Sequence, residues 1–261
     1  EACWPGPLTM ILPKSEEVPY ETTGGLDSVA VRYPSHPVAQ ALILAAGGFV
    51  AAPSANTSGR PSPTTAAHVQ EDLTGAVDMI LDGGQVGIGI ESTIVDFTEK
   101  IPTVLRPGYI SLEKLKELLG EVKMDKGLLR ADASQRPKAP GMKYRHYAPK
   151  AELTIVEGST EYVVAYINQK AKEASKRGRQ IGIIGTEETF PYYSSGVVRC
   201  IGSRKKEEGI ALHLYEVLRD FDQCEVEAIY SESFDTPKMG QAIMNRLLKA
   251  AGHRVVQAEK K

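Results

Sequence analysis

From Ala151 to Gln257 the chain repeats one pattern: a short β-branched run, then a longer stretch with apolar residues at helical spacing. Glu152–Val156, Gln180–Ile184, Val197–Ile201, Glu227–Tyr230 and Arg254–Gln257 read as strands, and Thr160–Lys176, Glu207–Phe221 and Met239–Ala251 as helices. Consecutive strands joined through helices run parallel, and a parallel sheet needs helices on both faces to bury its apolar residues. Residues 151–261 are therefore expected to form a Rossmann-like domain. No GxGxxG string is present, so the fold alone licenses no dinucleotide.

Residues 1–121 are less regular but also α/β. Met10–Leu12, Val29–Tyr33, Gly48–Ala52, Met79–Leu81, Ser92–Phe97 and Thr103–Arg106 read as strands. Pro37–Ala46 and Thr64–Leu73 have helical spacing, and Ser111 is placed to cap a helix over Leu112–Leu119 that stops at Gly120. Periodicity is lost over 122–150, where Pro137, Pro140, Gly141 and Pro149 mark a linker.

Composition narrows the function. A net charge of −2 gives no bulk polyanion-binding surface, so stable nucleic-acid binding is not expected. Three scattered cysteines and five scattered histidines offer neither a disulfide framework nor metal-ligand spacing. No apolar run is long enough to span a bilayer, and Pro5, Pro7 and Pro13 break up the front of the chain, so no membrane association and a cytoplasmic location are expected.

Four segments carry polar chemistry. Ala52–Thr64 is rich in hydroxyls, with one amide and Arg60, and runs into a helix N-terminus. It suits an anion through free N–H groups and the helix dipole, or it is a turn in which Ser62 or Thr64 caps the helix. In Gly87–Asp96, glycines lead to Ser92 at a strand mouth, where ligands collect in α/β sheets; a plain glycine hairpin is the alternative. Arg106 ends a strand before Pro107, and Arg32 lies between Val31 and Tyr33-Pro34; each suits a carboxylate or phosphate, or a surface ion pair. Ala139–Pro149 packs two tyrosines, a histidine and two cations into a few residues, suiting a nucleobase and phosphates or merely pinning the linker. No nucleophile–base pair stands out. The pattern suits a site that orients reactive small molecules.

Taken together, Trp4-Pro5-Gly6-Pro7-Leu8-Thr9, Ala52–Thr64, Glu91–Asp96, Leu105–Gly108 and Pro140–Pro149 make the chain resemble the YrdC-type threonylcarbamoyl-AMP synthases in their two-domain form. The resemblance implies a twisted, open, mixed-sheet catalytic domain over 1–121, a linker over 122–150 and a smaller Rossmann-like domain over 151–261. It implies that L-threonine, bicarbonate and ATP, with Mg2+, give threonylcarbamoyl-AMP and pyrophosphate. Downstream tRNA threonylcarbamoyl-transfer proteins would then carry the group to the adenosine beside an anticodon. It further implies that Arg32 holds the threonine carboxylate and that Ala52 and Ser92 line the threonine pocket. Ser28, Ser54, Ser62 and Arg106 would contact ATP, and so would Tyr147, with Tyr144 as second choice. No residue is expected to act as nucleophile. Lys143–Pro149 would close as a lid, and Tyr147→Ala is expected to keep the fold and threonine affinity while losing ATP affinity or leaking AMP through premature hydrolysis. The family's Thr-x-Thr-Val-Tyr-Gly-Leu-type string and Lys-x-Arg segment have no counterpart, so the front of the first domain is expected to be missing and this 261-residue chain to lack synthase activity. A carbamoyl-transfer relative and a non-catalytic RNA-binding module are the alternative readings.

Overall fold

A computed structural model describes residues 2–125, 147–234 and 238–259. The chain divides into two compact units, one drawn from Glu1–Pro53 and Glu91–Tyr144, the other from Ser54–Ile90 and Arg145–Lys261.

The first unit is built on a mixed sheet in the order β2-β1-β3-β4-β5. Strand β1 (Leu8–Pro13) pairs antiparallel with β2 (Ser28–Arg32) and parallel with β3 (Thr93–Asp96). Strand β3 pairs antiparallel with β4 (Thr103–Arg106), which runs parallel to the short β5 (Lys123–Met124). All four residues of β3 are buried. Leu8, Val95 and Val104 pack with Leu115 and Val122 in one cluster, and Ile11, Ile94 and Leu105 form a second, as the period-two alternation of strands requires. Leu115 belongs to α4 (Leu112–Leu119); Ser111 accepts from the Lys114 N–H at 3.2 Å, and Gly120 ends the helix at φ 78°. The remaining helices of this unit, α1 (Tyr20–Thr23) and α2 (Pro37–Ala45), bury no residue.

The second unit carries an all-parallel sheet in the order β10-β6-β9-β7-β8, as the strand–helix alternation dictates. Its strands are β6 (Glu152–Glu157), β7 (Gly182–Gly185), β8 (Val197–Cys200), β9 (Ala228–Glu232) and β10 (Val255–Gln257). Helix α5 (Thr160–Lys176) buries Val163, Ile167, Ala171 and Ala174, one stripe at i, i+4, i+8 and i+11, against Val156, Ile181 and Ile183. Helices α6 (Glu207–Phe221) and α7 (Gly240–Ala250) join the larger cluster with Leu153, Ile155, Ile184 and Ile229. Gly182 has no side chain because a Cβ there would meet the Phe221 ring at 2.6 Å.

The segment 54–90 belongs to this second unit and contributes α3 (Ala66–Leu73). Ile88 and Ile90 pack into the α6–α7 cluster, and Gly89 lies so close to α6 that a Cβ would come 2.3 Å from the Leu212 Cα. The cap of α3 is Thr65, which accepts from the His68 N–H at 3.3 Å, and not Ser62 or Thr64. Thr64 instead donates its N–H to His68 Nδ1 at 3.2 Å.

Two expected strands do not form. Gly48–Ala52 and Met79–Leu81 lie outside both sheets. Phe49 is 85% and Met79 75% exposed, so an apolar run here marks no buried strand. A strand needs a partner to satisfy its backbone, and a run of apolar residues does not specify one. Conversely, β5 forms inside the stretch read as linker, its two residues too few to carry a pattern.

Candidate active site

The Trp4–Thr9 string is a turn held by the Trp4 indole and by backbone bonds to Tyr33 and Thr93. Trp4 Nε1 donates to the Leu8 carbonyl at 2.7 Å, Gly6 N–H to Tyr33 at 2.8 Å, and the Pro7 carbonyl accepts from Thr93 at 3.1 Å. This delivers Thr9 at the start of β1, beside the last residue of β2 and the mouth of β3. Thr9 is the register partner of both Arg32 and Ile94, and Ile94 pairs with Arg106. Arg32, Thr9, Ile94 and Arg106 thus form one row across four strands. At about 4.8 Å per strand spacing, the two arginine Cα atoms stand roughly 14 Å apart.

Ser92 sits at the centre of this row's edge and is 3% exposed. Its hydroxyl lies 2.7 Å from the Thr9 hydroxyl and accepts from Arg106 Nη2 at 3.3 Å, while Arg106 Nε donates to the Ser92 carbonyl at 3.1 Å. The guanidinium plane is therefore fixed by two contacts to one residue, a preorganised mount for a permanent charge. The Pro107-Gly108 turn closes tightly over the same mouth: a Cβ on Gly108 would come 2.5 Å from the Thr93 nitrogen and 2.7 Å from the Glu91 oxygen. Thr93 clamps the turn from the other side, exchanging hydrogen bonds with Ile110 at 2.9 and 3.0 Å.

Of the residues singled out from sequence, the first unit brings Ser92 and Arg106 into contact and sets Arg32, exposed, in the same row. Ser28 opens β2 and Arg32 closes it, so four residues of extended chain, roughly 13 Å, separate them. Ala52 is exposed and outside any strand. Thr9 was missed as a site residue. The Trp-Pro-Gly-Pro-Leu-Thr string pointed to it, but its contact with a residue 83 positions away did not show in the sequence.

Ser54, Ser62 and Tyr147 lie in the second unit. Ser54 is exposed and Ser62 half-buried. Arg60, the one cation of residues 52–64, is matched by acids: it pairs with Asp72, with Glu71 at 3.0 Å and with Asp222 at 3.4 Å. Burial works against its charge, yet these carboxylates raise its pKa further. Burial would likewise raise Asp72, but hydrogen bonding and charge from Arg219, then Arg60, hold its carboxyl below the usual range. Burial, followed by the charge of Arg219, pushes His68 below its ordinary value. Tyr147 is 6% exposed at φ 65°, its ring 5.0 Å from Tyr215 within the α6–α7 cluster. Tyr144 and the 143–146 part of the expected lid fall outside the described residues.

Among the described residues no group of three or more His, Cys, Asp or Glu could hold a metal ion, and no helix is long and apolar enough to cross a membrane.

Comparison with known proteins gives this geometry a family. The telomere-recombination family of Sua5, YciO and YrdC proteins matches residues 1–108, and the family described as threonylcarbamoyl-AMP synthase, C-terminal domain, matches 110–252. A threonylcarbamoyl-AMP synthase from Bacillus subtilis is 48% identical over 97% of this chain and 72% of its own length. One from Pyrococcus abyssi is 44% identical over 97% of this chain and 73% of its own. The crystal structure of P. abyssi Sua5 complexed with L-threonine superposes with a TM-score of 0.91 at 42% identity, covering 99% of this chain and 74% of that one. The mixed sheet with its Thr9–Ser92–Arg106 edge and the parallel sheet of the second unit each fall in a matched family region, and the chain belongs to the threonylcarbamoyl-AMP synthase family.

Proposed function

We propose that this enzyme joins L-threonine, bicarbonate and ATP into L-threonylcarbamoyl-AMP. The threonine amine takes up the bicarbonate carbon with loss of water, the resulting carbamate oxygen attacks the α-phosphorus, and pyrophosphate leaves. The observation that carries the reading is the Arg32–Thr9–Ile94–Arg106 row with Ser92 at its edge. Two arginines whose Cα atoms stand roughly 14 Å apart, Arg106 fixed by Ser92 and Arg32 exposed, suit a ligand with an amino-acid carboxylate at one end and a phosphate at the other. Arg32 takes the threonine carboxylate, and Ser92 and Ala52 line the threonine side. Arg106 and Ser28 take ATP, as do Ser54, Ser62 and Tyr147 on the evidence of their sequence strings. The P. abyssi relative with L-threonine bound supports the amino-acid half.

No protein nucleophile is required. Threonine and the carbamate supply the attacking atoms, and the protein supplies proximity and charge neutralisation. Mg2+ enters with ATP as the triphosphate's counter-ion. The product is a mixed anhydride, which downstream transfer proteins would consume in forming threonylcarbamoyladenosine beside a tRNA anticodon. The test is pyrophosphate release from ATP together with mass detection of the adduct, each reagent omitted in turn. Release that needs both threonine and bicarbonate supports the reading; release indifferent to threonine overturns it.

A further inference from the structure

Arg219, in the last turn of α6, is 3% exposed, and none of the chemistry above uses it. Its Nε and Nη2 both donate to the Pro61 carbonyl, at 3.1 and 2.7 Å. Its Nη1 and Nη2 also reach the two oxygens of Asp72, at 3.2 and 2.7 Å, and Nη1 lies 3.5 Å from Glu71. A guanidinium buried this deeply is tolerated only when its donors are used, and here they go to the Pro61 carbonyl and to the two acids in the last turn of α3.

The Pro61 carbonyl belongs to the loop over residues 56–62, which the same acids help to hold. Asp72, held by Arg219, in turn accepts from the Thr57 N–H at 3.3 Å and pairs with Arg60. Gly59 accepts from Ala148 at 3.0 Å, and Asp222, one residue past α6, pairs with Arg60 while accepting from the Lys150 N–H at 2.7 Å. The carbonyl that Arg219 grips belongs to the peptide joining Pro61 to Ser62. Pro61 has its φ locked by its ring, and Pro63 confines Ser62 to extended backbone. With both flanks restricted, fixing that one carbonyl fixes the direction in which the Ser62 side chain leaves the chain.

We propose that Arg219 is a positioning residue for ATP, acting through the Pro61–Ser62 peptide plane on the Ser62 hydroxyl. Ser62 lies in the part matched by the first family and Arg219 in the part matched by the second, so the C-terminal family region has a task in nucleotide binding through a contact inside one compact unit. The inference rests on the assignment of Ser62 to ATP in the proposed function.

A double-mutant cycle in the intact enzyme tests it. Lysine at 219 keeps the charge, but its single ammonium cannot serve Pro61 and both Asp72 oxygens in one plane. Arg219→Lys is expected to raise the KM for ATP about tenfold, the scale of one charge-assisted hydrogen bond, with the KM for threonine unchanged. Ser62→Ala should raise the ATP KM as well, and the double variant should lose no more than Ser62→Ala alone, because the first residue acts only through the second. If Arg219→Lys does not fold, Asp72→Asn, which loosens the same grip, should show the same ATP-selective and Ser62-dependent loss. Additive losses, or equal losses for both substrates, overturn the inference and leave the proposed function standing. A Ser62→Ala enzyme with normal ATP kinetics overturns the assignment of Ser62 and the inference with it.

Discussion

Arg106 and Arg32 carry the same charge at the ends of two strands, and they differ in how they are held. Arg106 is half-buried and fixed by Ser92, whereas Arg32 is exposed at the end of β2. In the enzyme Arg106→Ala should weaken ATP more than threonine, by about 1.5–3 kcal/mol, the range for a charge-assisted contact. Arg32→Ala should reverse the preference. Paired titrations with each ligand decide it, and equal losses for both ligands in both variants would refute the assignment. The second unit supplies a pH prediction. His68 titrates below its ordinary 6.5 and Asp72 below its ordinary 3.8. In both cases the unfolded chain takes up a proton before the folded one does, so stability rises with pH across each interval. Stability should therefore fall as pH drops from 6.5 through the lowered His68 value, and fall again from 3.8 through the lowered Asp72 value. His68→Gln should remove the first step in thermal midpoints measured across pH and leave the second. A His68→Gln midpoint curve that keeps the step near neutrality would assign it to another group.

At the scale of elements, two glycines at close main-chain approaches are exacting positions. Gly108 packs its backbone against Glu91–Thr93 in the first unit, and Gly89, at φ 83°, packs against α6 in the second. Alanine at either meets main-chain atoms that cannot swing aside. Each substitution should cost about 1–3 kcal/mol or more from overpacking, with backbone strain added at Gly89. Denaturant midpoints of the two variants check this, and a loss under half a kcal/mol at Gly89 would mean that the loop moves away from α6. Ser111→Ala, by contrast, should cost only about 1 kcal/mol. These elements also show what was legible in sequence. Leu112–Leu119 could be read to the residue because the Ser111 cap, the Gly120 stop and the apolar period agree there, Thr103–Arg106 because Pro102 and Pro107 bound it, and Thr160–Lys176 and Glu207–Phe221 because their apolar period is sustained. Gly48–Ala52 and Met79–Leu81 misled because composition was the only signal. Thr9 beside Ser92 and Arg219 on Pro61 were illegible because register and packing across 83 and 158 residues leave no local trace.

Across the whole molecule, the string Pro140–Pro149 and the segment 54–90 pose the same question, namely which core each serves. Residues 54–90 precede the last strands of the first unit yet pack with α6, a division that no composition shift marks. Tyr147 likewise belongs to the second unit's core, stacked on Tyr215. This bears on the expectation that Tyr147→Ala leaves the fold intact. Removing a buried aromatic ring should cost about 3–5 kcal/mol, so the alanine variant confounds stability with ligand binding. Tyr147→Phe separates them, because it keeps the ring on Tyr215 and deletes only the hydroxyl. If that hydroxyl meets ATP, the phenylalanine variant should bind ATP more weakly while keeping its threonine affinity; full ATP affinity would reduce Tyr147 to a packing residue. The position of the ring can be tested on the 261-residue chain itself, because its single tryptophan, Trp4, lies with the first unit's cluster. Trp4 emission therefore reports the first sheet, whereas far-ultraviolet circular dichroism is weighted toward the second unit, which holds the three longest helices. Tyr147→Ala should lower the midpoint seen by circular dichroism and leave that of Trp4 emission where it was. Equal displacement of both midpoints would show that Tyr147 stabilises more than the core in which it is buried.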